Sequence, residues 1–403
     1  MTTRRVVITG LGVVSSIGTG RRAFSDSLRA GVNGISKLRA SNVLGFPVDQ
    51  GGEVHDFDPL RWSRRLDPAS IGRSSQFAIA AARLAIEDAG VDPARLSEGR
   101  CCVSLGTTDG ESQAVDYLVQ QMLERGIEHL DPRDVRKVAA DRLSSSVAQE
   151  FGLSGEAITI STACSAGNYA IGNAFDILRA GDADFALCGG AESIARKSLA
   201  GFYRLGAIAP ALCRPFDANR EGIIPGEGGG VLLLETLEGA RARGAHIYAE
   251  IRGYGLSCDA KHATTPDQAS IVNCMRRSHA NAGVSPADID YVCAHGTGTK
   301  VNDALEASAV LEVFGDRPPP MSSIKSMIGH TMGAASALGA VGCALFIDEG
   351  FIPPTINFET PDPDCAIDCV PNQARPAKLQ VVQNNGFAFG GNNAIVILSA
   401  LSA

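Results

Sequence analysis

The second half of the 403-residue chain repeats the order of elements found in its first half. Residues 270–299 contain a helix-like stretch, an Ala-Gly-Val-x-Pro-Ala turn and a strand that ends in Gly-Thr, and residues 76–108 contain the same series. Residues 321–350 follow residues 158–181 in the same way, with an apolar strand, a polar position and an Ala/Gly-rich helix. A repeat that spans half the chain is too long for a solenoid, so it predicts two similar halves.

Each half alternates β-rich runs with helical segments of about 10–15 residues, which is typical of an α/β fold. We predict one half at residues 1–240 and the other at 241–403, with a polar helical insertion near 107–150 that caps a pocket or builds a dimer surface. Segments 165–175 and 331–347 are apolar nearly all round. They are expected to form buried helices that meet at the centre of the fold.

Composition disfavours several classes of protein. The chain has 36 Lys and Arg against 44 Asp and Glu, and its net charge of −8 argues against a nucleic-acid binder, which carries a basic stripe. We find no apolar run of about 18 residues and therefore predict no membrane span. The 11 irregularly spaced cysteines predict reduced thiols in a cytoplasmic protein without a metal site. The glycine runs at 10–12 and 226–230 match no nucleotide-binding motif.

Cys164 is the candidate nucleophile, in the segment Ser-Thr-Ala-Cys-Ser-Ala-Gly between a predicted strand and a buried helix. The N-terminus of a helix offers free N–H groups and the positive end of the dipole. This position is expected to favour the thiolate and to make the cysteine reactive. We interpret the other ten cysteines as packed small residues.

Two histidines are candidate partners of Cys164. His295 follows a predicted strand, and His330 lies at the point of the second half that we expect to match Cys164. Both border glycines, which allow a ligand to approach closely. Lys325 is expected at an apolar strand end, where it needs a carboxylate partner that Glu306 or Asp303 could supply.

A cysteine with a distant histidine also describes papain-like proteases. Cys164 and His295 have a compatible separation in the sequence, but the local Cys-Gly-Ser/Ala-Cys-Trp/Tyr signature is absent. The spacing alone does not decide between these chemistries.

Six motifs resemble those of the β-ketoacyl-[acyl carrier protein] synthases of type I/II, in the thiolase superfamily, and they cover nearly the whole chain. They are VVITGLGVVSSIG at the start, TACSAG around Cys164, RPFDANREGIIPGEGGGVLLLE at 214–235, AHGTGTKVND at 294–303, SSIKSMIGHTMGAAS at 322–336 and NNGFAFGGNNA at 384–394. The resemblance implies a thiolase-like fold, with duplicated α/β halves in α-β-α-β-α layers. A Cys-His-His set is similar to that of decarboxylating synthases, whereas thiolases have Cys-His-Cys.

The resemblance implies a decarboxylating Claisen condensation in fatty-acid or type II polyketide or polyene chain elongation. Cys164 would hold the acyl group, while His295 and His330 donate N–H groups to the enolate formed from malonyl-acyl carrier protein. The product is a 3-ketoacyl thioester two carbons longer. No cofactor is expected to stay bound, because the acyl carrier protein supplies the phosphopantetheine arm.

The resemblance also assigns supporting roles. The backbone N–H groups of Cys164 and Phe389 form an oxyanion hole, and Lys325 with Glu306 fixes charge and orientation near His330. The remaining implied positions contact the substrate or its arm: Thr297 and Thr299 on the pantetheine, Phe387 and Phe389 as a mobile gate, and Phe202 in the acyl pocket.

Three features depart from the pattern of fatty-acid enzymes. Ala388 stands in the gate where many relatives have Gly, which should stiffen it. Asp109 stands where fatty-acid synthases usually have an aliphatic pocket residue, and a carboxylate there would fit poorly with a long saturated acyl chain. The segments HGTGTKVND and RSSQFA resemble ketosynthases of type II polyketide assembly. Primary fatty-acid metabolism and a specialised pathway both remain open.

Other functions within the same fold also remain open. One is a non-catalytic chain-length partner of a ketosynthase heterodimer, and another is a CoA-dependent thiolase. The resemblance implies an acyl carrier protein as partner and either a homodimer or a heterodimer with a chain-length-factor-like subunit. Arg61, Arg64, Arg65 and Arg73 are candidates for docking the acidic carrier protein.

Overall fold

Strands and α-helices alternate in the computed structural model, which describes residues 4–40, 43, 45–98, 100–139 and 141–402. The strands are β1 (Val6–Ser15), β2 (Gly18–Thr19), β3 (Ser36–Lys37), β4 (Gln50–Gly51), β5 (Cys101–Gly106), β6 (Ala157–Ile160), β7 (Phe185–Glu192), β8 (Gly228–Thr236), β9 (Ala249–Cys258), β10 (Tyr291–Cys293), β11 (Met321–Ser322), β12 (Phe351–Ile352), β13 (Arg375–Pro376), β14 (Val381–Gly386) and β15 (Asn392–Ser399). The helices are α1 (Arg21–Ala30), α2 (Arg73–Ala89), α3 (Pro93–Glu98), α4 (Ser112–Arg125), α5 (Pro132–Val135), α6 (Arg142–Phe151), α7 (Ala166–Ala180), α8 (Arg196–Arg204), α9 (Leu237–Ala242), α10 (Gln268–Ala282), α11 (Lys300–Phe314), α12 (Lys325–Ile328) and α13 (Ala335–Glu349).

The main sheet contains the same strand arrangement twice. Its order is β11-β10-β14-β15-β9-β1-β8-β7-β5-β6, with β2 paired to β1. In the first half β5 pairs in parallel with β6 and β7, and in the second half β10 pairs in parallel with β11 and β14. The remaining pairs in each half are antiparallel. This repeated order and direction confirms the predicted duplication.

The two halves of the sheet enclose two central helices. Helices α7 and α13 contact each other and strands of both halves. Helix α2 packs on β1, β7 and β8, while α10 packs on β9 and β15. The five predicted layers are therefore present, and the two halves also join at one edge, where Val6, Val7 and Ile8 pair with β9.

Buried amides hold α7 and α13 against the second half of the sheet. The backbone N–H of Asn168 donates to Ser336 Oγ at 3.0 Å. The Asn384 side chain donates to Asn168 Oδ1 and to the carbonyl of Ser336, each at 2.8 Å. Residues Met332–Glu349 have the length and hydropathy of a membrane-crossing helix, but 83% of this window is buried inside the fold. It is the central helix predicted from residues 331–347.

The two glycines in the middle of β1 have a packing role. A Cβ added at Gly12 would come within 1.7 Å of the Ala81 carbonyl oxygen, and one at Gly10 within 2.1 Å of the Ala85 carbonyl oxygen. The absence of side chains there lets α2 lie directly on β1.

Candidate active site

The candidate nucleophile lies in a strained turn between β6 and α7. Cys164 is the middle residue of a three-residue 3-10 turn, Ala163–Ser165, and it is 5% exposed. Ala163 has φ of +51°, a left-handed conformation that costs a non-glycine residue on the order of 1–3 kcal/mol. The surrounding structure holds this conformation, which presents Cys164 ahead of the first turn of α7.

The resting form of Cys164 is the thiol. Burial raises its pKa to about 12, although the positive charge of Lys325 opposes the rise and the negative charge of Glu192 adds to it. Burial thus opposes the thiolate that the position at the helix N-terminus was expected to favour. Nucleophilic attack requires the proton to leave as substrate binds.

His330 is fixed through its backbone and through one ring nitrogen. Its N–H donates to the Ile224 carbonyl at 2.6 Å, and its carbonyl accepts from Gly226 N–H at 2.9 Å. Its Nδ1 accepts from the backbone N–H of Met332 at 3.1 Å. A neutral imidazole that accepts at Nδ1 carries its hydrogen on Nε2. His330 is therefore an N–H donor at Nε2.

His330 is not the structural counterpart of Cys164, contrary to the sequence-based expectation. The turn that matches Ala163–Ser165 is Met332–Ala334, and Met332 repeats the positive φ of Ala163, at +46°. The position equivalent to Cys164 is therefore Gly333. His330 lies just before this turn in the sequence, and its backbone is held by hydrogen bonds to Ile224 and Gly226.

His295 follows β10 and lies beside His330, with ring centroids 5.5 Å apart and ring planes at 83°. Burial lowers the pKa of each histidine well below its usual range, and the charge of Lys325 lowers both further. Both imidazoles are therefore neutral near pH 7.

Lys325 and Glu306 hold His295 from opposite sides of its backbone. The Lys325 ammonium donates to the His295 carbonyl, while Glu306 accepts from the N–H groups of His295 and Gly296, each at 2.7 Å. Asn385 also donates to Glu306, at 2.9 Å. Among the described residues Lys325 forms no direct ion pair, but the negative charge of Glu306 raises the pKa of Lys325 and opposes the larger effect of burial, so Glu306 is its electrostatic partner.

Asp303, the alternative partner for Lys325, has a separate role. Its carboxylate accepts from the backbone N–H groups of Phe216, Thr297 and Gly298, and Arg220 lies 3.7 Å away. These contacts hold the loop between His295 and α11 in place.

A cavity of about 340 Å³ brings most of the predicted residues together. Its lining includes the three candidate catalytic side chains and the predicted arm, gate and pocket positions: Cys164, His295, His330, Thr297, Thr299, Phe202, Phe387, Ala388 and Phe389. Lys325 and Glu306 act from behind this wall through His295. Within the described residues, no group of three or more His, Cys, Asp or Glu side chains is arranged to hold a metal ion.

The two phenylalanines of the predicted gate differ in exposure. Phe389 is 39% exposed and stacks on Phe202, with centroids 5.4 Å apart and planes at 26°. Phe387 is buried, with its ring centroid 5.7 Å from that of His295. Ala388 between them is extended, at φ −138° and ψ 150°, a conformation that does not require glycine.

Two of the sequence-based site predictions differ from the structure. Asp109 is absent from the cavity lining and instead pairs with Lys197, at 2.6 Å, and with the Ser198 hydroxyl. It fixes α8, which carries Phe202. Arg73, a candidate docking residue, is bound to the buried Glu227 at 2.6 Å, so its charge is already neutralised.

Sequence reasoning missed Glu192, which lies 1% exposed at the end of β7. Burial raises the pKa of this carboxyl to about 8. A single acid that ends an otherwise apolar strand, Phe-Ala-Leu-Cys-Gly-Gly-Ala-Glu, was the available signal.

This arrangement places a nucleophilic thiol and two neutral imidazoles around one cavity. The thiol can accept an acyl group, and the N–H groups of the imidazoles can stabilise an oxyanion. A neutral imidazole does this without protonating the oxyanion, whereas an imidazolium is a much stronger acid.

Comparisons with known proteins agree with this chemistry. Residues 3–240 match the model for the beta-ketoacyl synthase N-terminal domain, and residues 248–359 match that for the C-terminal domain. The 3-oxoacyl-[acyl-carrier-protein] synthase 2 of Staphylococcus aureus is 36% identical over 99% of both chains. A solved structure described as the ishigamide ketosynthase/chain length factor is 49% identical, with a TM-score of 0.98 and full coverage of both chains. A type II polyketide synthase acyl-carrier protein in complex with its ketosynthase, bound to the hexaketide, matches at 32% identity and a TM-score of 0.90, again over both whole chains.

Proposed function

The chain belongs to the β-ketoacyl synthase family, and from this premise we propose which of its residues carry each step and which substrates it extends. It is a ketosynthase, an acyltransferase that condenses an acyl thioester with malonyl-acyl carrier protein and releases CO₂. The observation that carries the assignment of roles is the single cavity shared by Cys164, His295 and His330.

In the first half-reaction, the Cys164 sulfur attacks the carbonyl carbon of an acyl thioester. The carrier thiol leaves with a proton, and the acyl group remains on Cys164 as a new thioester. The charge of Lys325, which lowers the pKa of the buried thiol, supports ionisation at this position. We assign the oxyanion hole to the backbone N–H groups of Cys164 and Phe389, in line with their place around the cavity.

In the second half-reaction, malonyl-acyl carrier protein loses its carboxylate as CO₂, and the electron pair forms a thioester enolate. The N–H groups of His295 and His330 donate to the enolate oxygen. The enolate carbon then attacks the acyl-Cys164 carbonyl, and collapse of the tetrahedral intermediate returns the thiolate and releases the 3-ketoacyl-carrier product. Neutral imidazoles suit this step because an imidazolium would protonate the carbanion.

The pantetheine arm of the carrier protein is the non-protein group in this reaction, and we place it along the cavity. The hydroxyls of Thr297 and Thr299 lie 2.9 Å apart on the cavity wall and supply polar contacts for the arm. The exposed Phe389 and the half-buried Ala388 form a gate segment over the opening, backed by the buried Phe387.

We propose that the acyl chain extends past Phe202 and belongs to a type II polyketide or polyene pathway. Phe202 lines both the main cavity and a smaller neighbouring one that also contains Leu199 and Met332. Rotation of its ring would join them. The 49% identity to a ketosynthase/chain length factor structure supports the specialised pathway.

We propose that the two halves of the chain meet between residues 240 and 241. We place the subunit interface at β6 and α4. Strand β6 is an edge strand of the sheet, and Ile158 on it is 37% exposed. Helix α4, inside the predicted insertion 107–150, exposes several apolar side chains: Val115, Tyr117, Val119, Met122 and Leu123. An unpaired edge beside an apolar patch is typical of an interaction surface. The partner is a second copy or a chain-length-factor-like subunit, and the acyl carrier protein docks separately.

We also propose a cytoplasmic location. All 11 cysteines are free thiols and ten of them are buried, which suits a reducing compartment.

Mass spectrometry tests these assignments. The protein is incubated with acyl-acyl carrier proteins that differ in chain length and unsaturation, and the Cys164 peptide is examined for an acyl adduct. We expect an adduct on wild-type protein, none on Cys164→Ala, and faster loading with unsaturated chains. A wild-type protein that is folded but never acylated would instead indicate the non-catalytic chain-length partner.

A further inference from the structure

The buried carboxylate of Glu192 connects two segments that come from the two halves of the chain. Its Oε1 accepts from the Thr107 hydroxyl at 3.0 Å and from the Asp109 N–H at 3.2 Å. Its Oε2 accepts from the N–H groups of Thr108 at 2.5 Å and Gly333 at 3.1 Å. The first three donors belong to the loop after β5, in the first half of the chain, and Gly333 belongs to the turn after His330.

The loop and the turn are in direct backbone contact. A Cβ added at Gly333 would come within 2.3 Å of Thr107 C and of Thr108 N. The residue before Gly333 is Met332, whose N–H donates to His330 Nδ1 at 3.1 Å. The Gly333 N–H, which Glu192 accepts, and the Met332 N–H, which fixes the ring of His330, therefore belong to neighbouring residues.

We propose that Glu192 is a positioning residue for the condensation: it ties the turn after His330 to the loop after β5 and so directs the Nε2–H of His330 into the cavity. This inference rests on the proposed function, in which that N–H group stabilises the enolate. Glu192 acts through the Gly333 and Met332 backbone and does not itself contact the substrate.

The four donors require a carboxylate rather than an amide. Each oxygen of Glu192 accepts two hydrogen bonds, and three of the four donors are backbone N–H groups that cannot reverse their role. A glutamine would place an NH₂ group against at least one of these N–H groups. The orientation with fewest clashes turns the NH₂ toward the Asp109 N–H, so the loop after β5 loses a buried partner and shifts. The turn after His330 packs directly on that loop and would move with it.

Glu192 also leaves a distinct electrostatic signature on the nucleophile. Burial is the main cause of the raised pKa of Cys164, and the negative charge of Glu192 raises that pKa further. Removing this charge should make the thiol more acidic and faster to alkylate. This gain follows from the lost charge alone, so it shows that the variant is folded and that its charge has changed at the site, while the rate of CO₂ release tests the positioning role.

The experiment compares Glu192→Gln with Glu111→Gln in the full-length protein. Glu111 is a matched control, because it is also a buried carboxylate that accepts backbone N–H groups, those of Ser74 and Ser75. Two rates are measured above pH 8, where Glu192 is ionised: CO₂ release from malonyl-acyl carrier protein, and alkylation of Cys164 by iodoacetamide. Thermal unfolding shows how much each variant is destabilised.

We expect Glu192→Gln to release CO₂ about 10–100-fold more slowly, as misplacing a reacting group does, while Cys164 is alkylated faster than in wild type. Glu111→Gln should leave both rates near those of wild type, whatever its loss of stability. Wild-type CO₂ release by Glu192→Gln, or equal losses in both variants, would overturn the inference.

If Glu192→Gln does not fold, Thr107→Val decides the question. It keeps the shape of the side chain but removes the donor to Glu192 and the acceptor of the Gly110 N–H, both of which hold the loop after β5. We therefore expect a smaller drop in CO₂ release, and an unchanged rate would contradict the proposal. Failure of the proposed function is distinguishable, because the wild-type protein itself would then release no CO₂.

Discussion

The two halves of the molecule use the same strand–turn–helix unit for different chemistry. In each, a residue with positive φ opens a 3-10 turn and a 15-residue helix follows: Ala163 before α7 and Met332 before α13. The first turn presents Cys164 at its centre, whereas the second has Gly333 at the same place. Duplication has therefore preserved the backbone frame, while single side chains determine which turn is reactive.

The second turn serves the site in another way. Gly333 lets its backbone lie against the loop after β5, and His330, just before the turn, lines the same cavity as Cys164 of the other half. A nucleophile from one half and two hydrogen-bond donors from the other thus share one cavity. The following variants test this division of labour, from the largest expected effect to the smallest.

Removing the reactive side chain of the first turn should have the largest effect. Cys164→Ala makes the first turn as inert as the second, so condensation should be abolished because no residue can carry the acyl group. CO₂ release from malonyl-acyl carrier protein should continue, because His295 and His330 are intact. Loss of both activities with an intact fold would mean that the two halves do not divide the steps in this way.

Adding a side chain to the second turn should destabilise the protein. Gly333→Ala places a Cβ within 2.3 Å of the Thr107 backbone, and such overpacking costs about 1–3 kcal/mol of unfolding free energy. Gly201→Ala in α8 is the matched control, because a Cβ there meets nothing within 4 Å. Denaturant unfolding of both variants measures the difference, and equal stability would contradict the close contact described above.

The third prediction concerns the pH dependence of condensation and the positive charge of Lys325, which acts on both histidines. Lys325 lowers the pKa of His295 and of His330, in addition to the larger effect of burial. In Lys325→Met that positive charge is absent, so protonation becomes easier and both pKa values rise. The measurement is the rate of condensation between about pH 5 and 8. As the pH is lowered, the rate of the variant should begin to fall at a higher pH than the rate of the wild type. An acid limb at unchanged or lower pH would rule out this role.

The smallest effect is expected at the proposed gate, the segment of the second half that contains Ala388 and lines the cavity. Ala388 has an extended backbone, so Ala388→Gly fits without strain and loosens the segment by up to about 1 kcal/mol. Turnover should change by at most about fivefold, the limit set by that energy, with the rate of Cys164 alkylation rising as the cavity opens more often. A slower alkylation in this variant would show that the gate does not limit access.

The sequence predicted much of the site because its motifs are local. Cys164, His295 and His330 were identifiable from short runs of small residues, and the repeated order of elements indicated two equivalent halves. The central helices followed from their uniformly apolar composition.

The remaining features depend on contacts between distant segments. Lys325 bonds the His295 carbonyl rather than a carboxylate, and Asp109 turns toward Lys197 on α8 instead of the cavity. The acidity of Cys164 could not be judged without its burial, which raises the pKa of the thiol. Glu192 was missed because the four donors that define it come from loops more than 80 residues away in sequence.

The central claim is that Cys164 holds the acyl chain while the two imidazoles generate the carbon nucleophile. It is tested most directly in the His295→Ala, His330→Ala double variant, incubated with acyl- and malonyl-acyl carrier proteins, by measuring the acyl adduct on the Cys164 peptide and the CO₂ released in the same sample. We predict an adduct at the wild-type level and CO₂ release reduced by at least about 10²-fold, the loss expected for even one oxyanion donor. CO₂ release at the wild-type rate would contradict the claim.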